Sequence, residues 1–191
     1  MNKFIRVLMT GSLLWYLGEG MLGPLLAVFT EHIGGDILQI SWAWATYLLV
    51  TGVMIIIVGK ISDGRASKER LMMIGYVLNT ILTFCYLLVS APWQLFILQA
   101  GLGIAWAFAT PTWSALYARH IDRKHDGSAY GFADGLPPII TACAILIGGL
   151  IINYFSFKTL FLLMGSIQLI ATVYQAKILW MEKKKVYKKR R

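Results

Sequence analysis

The stretch Leu38–Val58, LQISWAWATYLLVTGVMIIIV, runs for 21 residues without a charged side chain. As a helix that rises about 1.5 Å per residue, it would extend for roughly 30 Å, the thickness of the hydrocarbon core of a bilayer. The whole chain has the same character, since 58% of its 191 residues are hydrophobic and 14% are charged. Soluble domains carry roughly 25% charged residues. The sequence therefore predicts an all-α integral membrane protein.

Five further apolar runs of similar length lie on either side of this stretch. Backbone polar groups find no water in lipid, so each run must satisfy them internally as a helix. The predicted membrane-spanning helices are about 5–29, 38–58, 71–91, 93–118, 130–154 and 159–180. The connections between them are short. We therefore predict one six-helix transmembrane domain over residues 1–181, followed by a basic tail over residues 182–191.

Lysine and arginine are segregated to one side of the predicted helices. Seventeen of the 18 basic residues fall at the two ends of the chain or in the connections near residues 60–70 and 119–124, whereas Lys158 falls on the opposite side. Loops rich in Lys and Arg remain in the cytoplasm. Both termini are therefore predicted to be cytoplasmic, in a multi-pass protein of the cell (cytoplasmic) membrane. The net charge of +9 reports this topology, and no nucleic-acid partner is predicted.

Patterns that enzymes require are missing from the sequence. No His, Cys, Asp or Glu residues have metal-ligand spacing, and there is neither a G-x-S-x-G motif nor a glycine-rich phosphate loop. Cys85 and Cys143 lie in different predicted helices and are interpreted as two free thiols. The sequence thus predicts no catalytic residue, no metal site and no cofactor.

The connection Gly59–Arg70, GKISDGRASKER, resembles the cytoplasmic signature of the major facilitator superfamily, G-x-L-a-D-R-x-G-R-K. Gly59, Ile61, Asp63 and Lys68 fit this signature in register, whereas Gly64 stands where the family has Arg. The resemblance implies a cytoplasmic gate, in which an acidic residue and nearby basic residues latch helix ends together. Its candidate residues are Gly59, Asp63, Arg65, Lys68 and, near the start of the fifth predicted helix, Asp134.

Two other stretches carry the same resemblance. Leu17-Gly18-x5-Pro24-Leu25 is similar to the family's first-helix pattern, and Gly148-Gly149 with Ser156–Lys158 is similar to its "GG…GWR" junction. Two departures stand beside them. The usual Arg of the fourth helix is Ile97, and the Gly-Pro of the antiporter signature is Ala144-Ile145. Neither the mechanism based on that Arg nor the antiporter label is therefore carried over.

The resemblance implies six helices arranged as two three-helix repeats, equivalent to one half of a major facilitator fold. Usual members have twelve helices in two parallel halves. Two identical copies could then pair about an axis along the membrane normal. A truncated chain or a different partner chain remains an alternative to this homodimer.

In that fold the first and fourth helices of each half line a central cavity. Polar, small and aromatic side chains recur at helical spacing on one face of both predicted helices, a mixture that suits a small organic ligand. The predicted cavity residues are Trp15, Tyr16, Gln99, Trp106, Thr110 and Trp113. The expected ligand is a small-molecule substrate. A cationic or drug-like molecule suits the predicted aromatic residues and carboxylate, and a sugar or another metabolite is also compatible with them.

Glu19 is a carboxylate within an apolar, membrane-spanning run. A charged side chain at such a position costs roughly 2.5–3.5 kcal/mol on insertion scales, which makes it a functional candidate. We predict that it takes part in proton coupling or in recognition of a cation, while a protonated Glu bonded to a neighbouring helix is the structural alternative. The predicted function is a half-sized secondary transporter that acts as a homodimer by alternating access. The alternative is a non-transporting membrane subunit.

Overall fold

The computed structural model describes residues 2–64, 66–121 and 126–182, and every regular element in these ranges is helical. A 3-10 turn at Tyr86–Leu88 continues α4, and residues 177–182 are helical again after a turn at Ala176. The helices are α1 (Lys3–Gly20), α2 (Leu25–His32), α3 (Ile37–Asp63), α4 (Lys68–Cys85), α5 (Pro92–His120), α6 (Asp126–Tyr154) and α7 (Phe157–Gln175). The prediction of an all-α membrane protein is confirmed.

Helices α3 to α7 are each long and apolar enough to cross a membrane, α7 together with the helical residues that follow it. Polar side chains define where several of them begin. The Asp36 carboxylate accepts a hydrogen bond from the Gln39 amide at 2.8 Å, and the Gln39 side chain accepts one from the Asp36 amide at 3.2 Å, which forms a capping box at the start of α3. Ser67 and Ser156 cap α4 and α7 in the simpler one-bond form.

The predicted first helix, 5–29, is two helices in the structure. Helices α1 and α2 together make a sixth span that is bent by 44° at residues 21–24. Pro24 has no amide hydrogen to donate, and glycine raises the conformational entropy lost when a helix forms, so this segment is a weak place in a helix. The bend brings the Met21 carbonyl oxygen directly onto Gly148 of α6, where an added Cβ would overlap it.

Helix packing follows an open arc. Close pairs are α3 with α5, α5 with α4, α4 with α7, α7 with α1, and α1 with α6. Traced in this order, the arc begins at α3 and ends at α6, and α1 and α5 also touch across its inner side. The helices differ in how much of their most apolar 18-residue stretch is buried. In α3 and in α6, 11% of these residues are buried, whereas in α4 and in α5 the buried share is 50%. The two end helices are therefore largely uncovered.

Small residues allow the close helix crossings inside the arc. A Cβ on Gly75 of α4 would lie 2.6 Å from the Ala105 carbonyl oxygen of α5, which is closer than real side chains approach. A Cβ on Gly103 of α5 would lie 2.9 Å from the Tyr47 carbonyl oxygen of α3. Close backbone approach of this kind is how helices associate where lipid supplies no hydrophobic driving force.

Lys68 joins the start of α4 to the end of α3. Its ammonium donates a hydrogen bond to the Ser62 carbonyl oxygen at the end of α3 and lies 3.7 Å from the Asp63 carboxylate. The Asp63 side chain is 87% exposed and that of Lys68 13% exposed. Water screens an ion pair with so exposed a partner. The bond to the helix-end carbonyl is thus the stronger contribution.

Separate substitutions of Lys68 and Asp63 distinguish the hydrogen bond to the Ser62 carbonyl oxygen from the ion pair. We expect Lys68→Met to lower the free energy of unfolding by about 1 kcal/mol, which corresponds to a fall of roughly 2–4 °C in the melting temperature of a chain of this size. Asp63→Asn should stay within about 0.5 kcal/mol of the wild type. Thermal unfolding in detergent, followed by circular dichroism, measures both. Equal losses for the two variants would contradict this division.

Candidate functional site: a membrane-embedded aromatic cavity

A cavity of about 520 Å³ opens on the inner side of the arc, between α1, α5 and α6. This volume is within the range of roughly 300–1,000 Å³ that is typical of small-molecule sites. Tyr76 of α4, a helix that packs on α5 and α7, also lines the cavity. The lining residues are Ser12, Trp15, Tyr16, Tyr76, Trp106, Ala109, Thr110, Trp113, Ser114, Ala133, Asp134, Pro137, Pro138 and Thr141.

Aromatic rings form a connected wall of this cavity. Trp15 meets Tyr76 edge to face, with ring centroids 4.4 Å apart. Trp106 contacts both Trp15 and Tyr16, at centroid distances of 6.0 and 5.8 Å. Trp15 and Tyr76 are almost fully buried, whereas Tyr16 and Trp106 remain partly exposed to a ligand. The wall can therefore bind an apolar or aromatic molecule and can also attract a cation to a ring face.

Hydrogen bonds from behind hold the wall in place. The Trp113 indole donates to the Leu8 carbonyl oxygen of α1 at 3.3 Å. The fully buried Gln168 side chain of α7 donates to the Trp15 carbonyl oxygen at 3.1 Å and lies against Gly18, where a Cβ would meet it at 3.0 Å. These contacts fix two of the cavity tryptophans relative to neighbouring helices.

Asp134 of α6 lines the cavity, and its side chain is exposed. Among the described residues it forms no ion pair. One turn earlier on α6, the Tyr130 ring lies 5.6 Å from the ring of Tyr117, whose hydroxyl donates to the Ala129 carbonyl oxygen at 2.6 Å. Tyr117 in turn stacks on Trp113 at 5.0 Å. The start of α6, and with it Asp134, is thus positioned against the aromatic wall.

Glu19 is not a lining residue of this cavity, although it is one helical turn beyond Trp15. Its side chain is mostly buried, and its Oε2 accepts a hydrogen bond from the Asn79 amide of α4 at 3.3 Å. The described residues supply no cation to it. The site therefore contains two carboxylates in different surroundings, one in the cavity and one behind it.

Of the six predicted cavity residues, the structure brings together Trp15, Tyr16, Trp106, Thr110 and Trp113. Gln99 is 3% exposed in α5 and is not part of the lining. Within the predicted gate, Gly59, Asp63 and Lys68 lie at the α3–α4 connection, Arg65 falls outside the described residues, and Asp134 faces the cavity.

Sequence reasoning missed two residues of α4, Tyr76 in the cavity and Asn79 beside Glu19. Asn79 was detectable, because it is an amide in an otherwise apolar run. No pattern singled out Tyr76. The described residues hold no group of three or more His, Cys, Asp or Glu side chains that could bind a metal ion.

A bundle of helices long and apolar enough to span a membrane, with an aromatic, ligand-sized cavity between them, suits a membrane transport protein. The sequence matches the family model described as "Major Facilitator Superfamily" over residues 8–191. The chain belongs to this superfamily.

Several curated relatives are similar to the chain over most of its length. The "Multidrug resistance protein MdtG" of Enterobacter lignolyticus is 23% identical over 176 residues, which cover 90% of this chain and 42% of that protein. The proteins of the same name from Salmonella typhimurium and Dickeya zeae are 21% and 22% identical, covering 90% and 89% of this chain. The chain spans less than half the length of these relatives, 42–43% in each case.

Proposed function

We propose that this chain is a half-sized secondary transporter that works as a parallel homodimer and moves a small organic solute by alternating access. The observation that carries this proposal is the open arc with an aromatic cavity on its inner side. A cavity open on one side becomes a transport pathway when a second body closes it. The name of the relatives, multidrug resistance protein, favours a drug-like solute.

A second copy of the chain fits the open side of the arc. If two copies are related by an axis along the membrane normal, α3 of one faces α6 of the other, and both exposed end helices are covered at once. Three glycines lie on the open face of α6, where an added Cβ would meet nothing within 4 Å of the same chain: Gly127, Gly131 and Gly135. Because they have no side chains, a helix of a second copy can approach α6 closely at this face. These three follow the small-xxx-small spacing of membrane helix pairs.

Glu19 is the proposed proton-coupling residue. It lies in the membrane-spanning region with one amide donor, Asn79, and without a cationic partner among the described residues. Gain and loss of a proton at such a carboxylate changes the charge inside the protein, which can favour one of two conformations. Its position outside the cavity supports this role over direct recognition of a cation, the other role that the sequence leaves open.

The same proposal includes the topology. The protein is proposed to lie in the cell membrane with both termini on the cytoplasmic side, because 17 of the 18 basic residues fall on the side of the predicted helices that carries the termini. The α3–α4 connection, with Gly59, Asp63, Arg65 and Lys68, is then the cytoplasmic gate. The competing proposal is a non-transporting subunit that covers α3 and α6 with a different chain. It is supported by the same exposed faces.

The first experiment is the mass of the purified particle in nanodiscs, measured without crosslinking. Two copies per particle support the homodimer, whereas one copy contradicts it and directs attention to another partner. In the same assay we expect Gly131→Leu to reduce the fraction of dimers at least fivefold, since the new side chain projects from the open face of α6.

Ser166→Leu is the matched control for that variant. It adds the same side chain at an exposed position of α7, which is not an end of the arc. Its dimer fraction should equal that of the wild type. Equal loss in both variants would mean that α6 is not the contact between copies.

Transport itself is tested with proteoliposomes that contain the purified 191-residue chain. An imposed proton gradient should drive movement of ethidium, a fluorescent aromatic cation, at a rate at least several times that of empty liposomes. No movement of ethidium or of any member of a panel of cationic, neutral and anionic solutes would support the non-transporting subunit instead.

A further inference from the structure

The carboxylate of Asp134 has no compensating charge in the part of the chain that the structure describes, although it faces a cavity with mostly apolar walls. The Asp134 side chain is exposed to the cavity. A ligand that covers a carboxylate removes its water, so a cation or several hydrogen-bond donors on that ligand stabilise the complex. The hydrogen bonds described for the chain include none to this carboxylate. Within residues 2–64, 66–121 and 126–182, no cation balances the carboxylate that this cavity presents to a ligand.

Two prolines add to this negative potential. Pro137 and Pro138 lie inside α6 and line the same cavity. Proline has no amide hydrogen, so the carbonyl oxygens four residues earlier, on Ala133 and Asp134, lose their regular helical donors. Both of these residues also line the cavity. One turn of α6 thus carries a carboxylate and two backbone carbonyl oxygens that lack their regular helical donors. Transporters coordinate cations with backbone carbonyls that are free of helical hydrogen bonds.

The rest of the site selects for an organic cation. Tyr16, Trp106 and Trp113 line the same space, and aromatic ring faces attract cations in desolvated sites. The volume of about 520 Å³ suits an organic molecule. The described residues offer no cluster of carboxylates and imidazoles for a metal ion.

We infer that Asp134, with the carbonyl oxygens freed by Pro137 and Pro138, is the subsite that binds the positive charge of an organic cation whose apolar part packs on the tryptophans. This inference rests on the proposed function, because it names the substrate class of the same cavity. It separates two tasks, since Asp134 recognises the charge of the solute whereas Glu19, behind the cavity, carries the proton.

The test compares two ions of the same shape and opposite charge. Tetraphenylphosphonium and tetraphenylborate are titrated against the full chain in nanodiscs, with quenching of tryptophan fluorescence as the readout and empty nanodiscs as the blank. Asp134→Asn removes the charge and keeps the shape of the side chain. Asp134→Glu keeps the charge. Asp126→Asn is the matched control, because it removes an exposed carboxylate from the start of the same helix, outside the cavity lining.

The expected result is a ten- to a hundredfold weaker binding of tetraphenylphosphonium to Asp134→Asn. This ion has no hydrogen-bond donor, so the loss measures the charge attraction alone. Tetraphenylborate should bind this variant no worse than the wild type. Asp126→Asn should match the wild type for both ions, and Asp134→Glu should retain most of the affinity for the cation. Circular dichroism and particle mass verify that each variant is folded.

Equal affinity of wild type and Asp134→Asn for tetraphenylphosphonium would overturn the inference. So would an equal loss for both ions, because it would show a change of shape and not of charge. Tight, Asp134-dependent binding in a chain that moves no solute would support the inference and contradict the proposed transport. Active transport of ethidium, together with tetraphenylphosphonium binding that Asp134→Asn does not change, would support the proposed transport and contradict the inference.

Discussion

Glu19→Gln should abolish proton-driven accumulation of solute in proteoliposomes and leave binding in the cavity within about twofold of the wild type. In the wild type the Asn79 side-chain amide lies 3.3 Å from Oε2 of Glu19. Gln keeps the size of the side chain, and its carbonyl oxygen can still accept this hydrogen bond. It cannot gain or lose a proton at any accessible pH. The gradient of protons then lacks its proposed coupling group, whereas the aromatic cavity, whose lining does not include Glu19, stays intact.

The diagnostic measurement is a pair of assays on the same variant. Uphill accumulation driven by a pH gradient should fall to the level of empty liposomes, a loss of at least tenfold. Downhill exchange of labelled for unlabelled solute should persist. Glu31→Gln, the same substitution at an exposed position of α2, is the control and should transport like the wild type. If Glu19→Gln loses tetraphenylphosphonium binding instead, Glu19 recognises the cation and the proposed division of tasks is wrong.

The fold was largely predictable because lipid imposes a simple rule on the sequence. Uncharged runs such as 38–58 must be helices, and α3 lies where that run does. The bend in the first span was signalled by Gly20, Gly23 and Pro24. Its angle of 44° was not, because it depends on how the Met21 carbonyl packs against α6, a contact between residues far apart in sequence.

The site was less predictable, and α1 shows why. Helical spacing places Trp15 and Glu19 on one face, yet Trp15 lines the cavity while Glu19 turns to Asn79. Helix α1 has α7 and α6 as close neighbours, touches α5, and reaches α4 through this bond. A periodicity of 3.6 residues identifies a face but not the neighbour that the face meets.

Asp134 illustrates the complementary difficulty. Its position near the predicted cytoplasmic start of its helix, with Arg119, Arg123 and Arg65 expected nearby, suggested a gate residue. Its place in the cavity depends on the anchoring of α6 to α5, in which the Tyr117 hydroxyl donates to the Ala129 carbonyl oxygen. Such a bond between two helices leaves no trace in local composition.

Gly148→Ala should destabilise the bundle at the contact on which the bend of the first span depends. A Cβ at this position would overlap the Met21 carbonyl oxygen and lie 3.0 Å from its carbonyl carbon. The obstacle is backbone, which cannot rotate away as a side chain can. Overpacking of this kind typically costs about 1–3 kcal/mol. We expect a value near the upper end, because relief requires either α6 or the 21–24 segment to move.

Gly149→Ala is the matched control, since the neighbouring glycine would place its Cβ in open space. This variant should melt within about 2 °C of the wild type or slightly above it, because Ala is a better helix former than Gly. Gly148→Ala should melt at least 5 °C lower in the same detergent. Equal melting temperatures for the two variants would show that α1, α2 and α6 do not cross at Gly148. A selective loss for Gly148→Ala would establish that the "GG" pair is asymmetric, with only Gly148 required for the crossing on which the cavity between α1 and α6 depends.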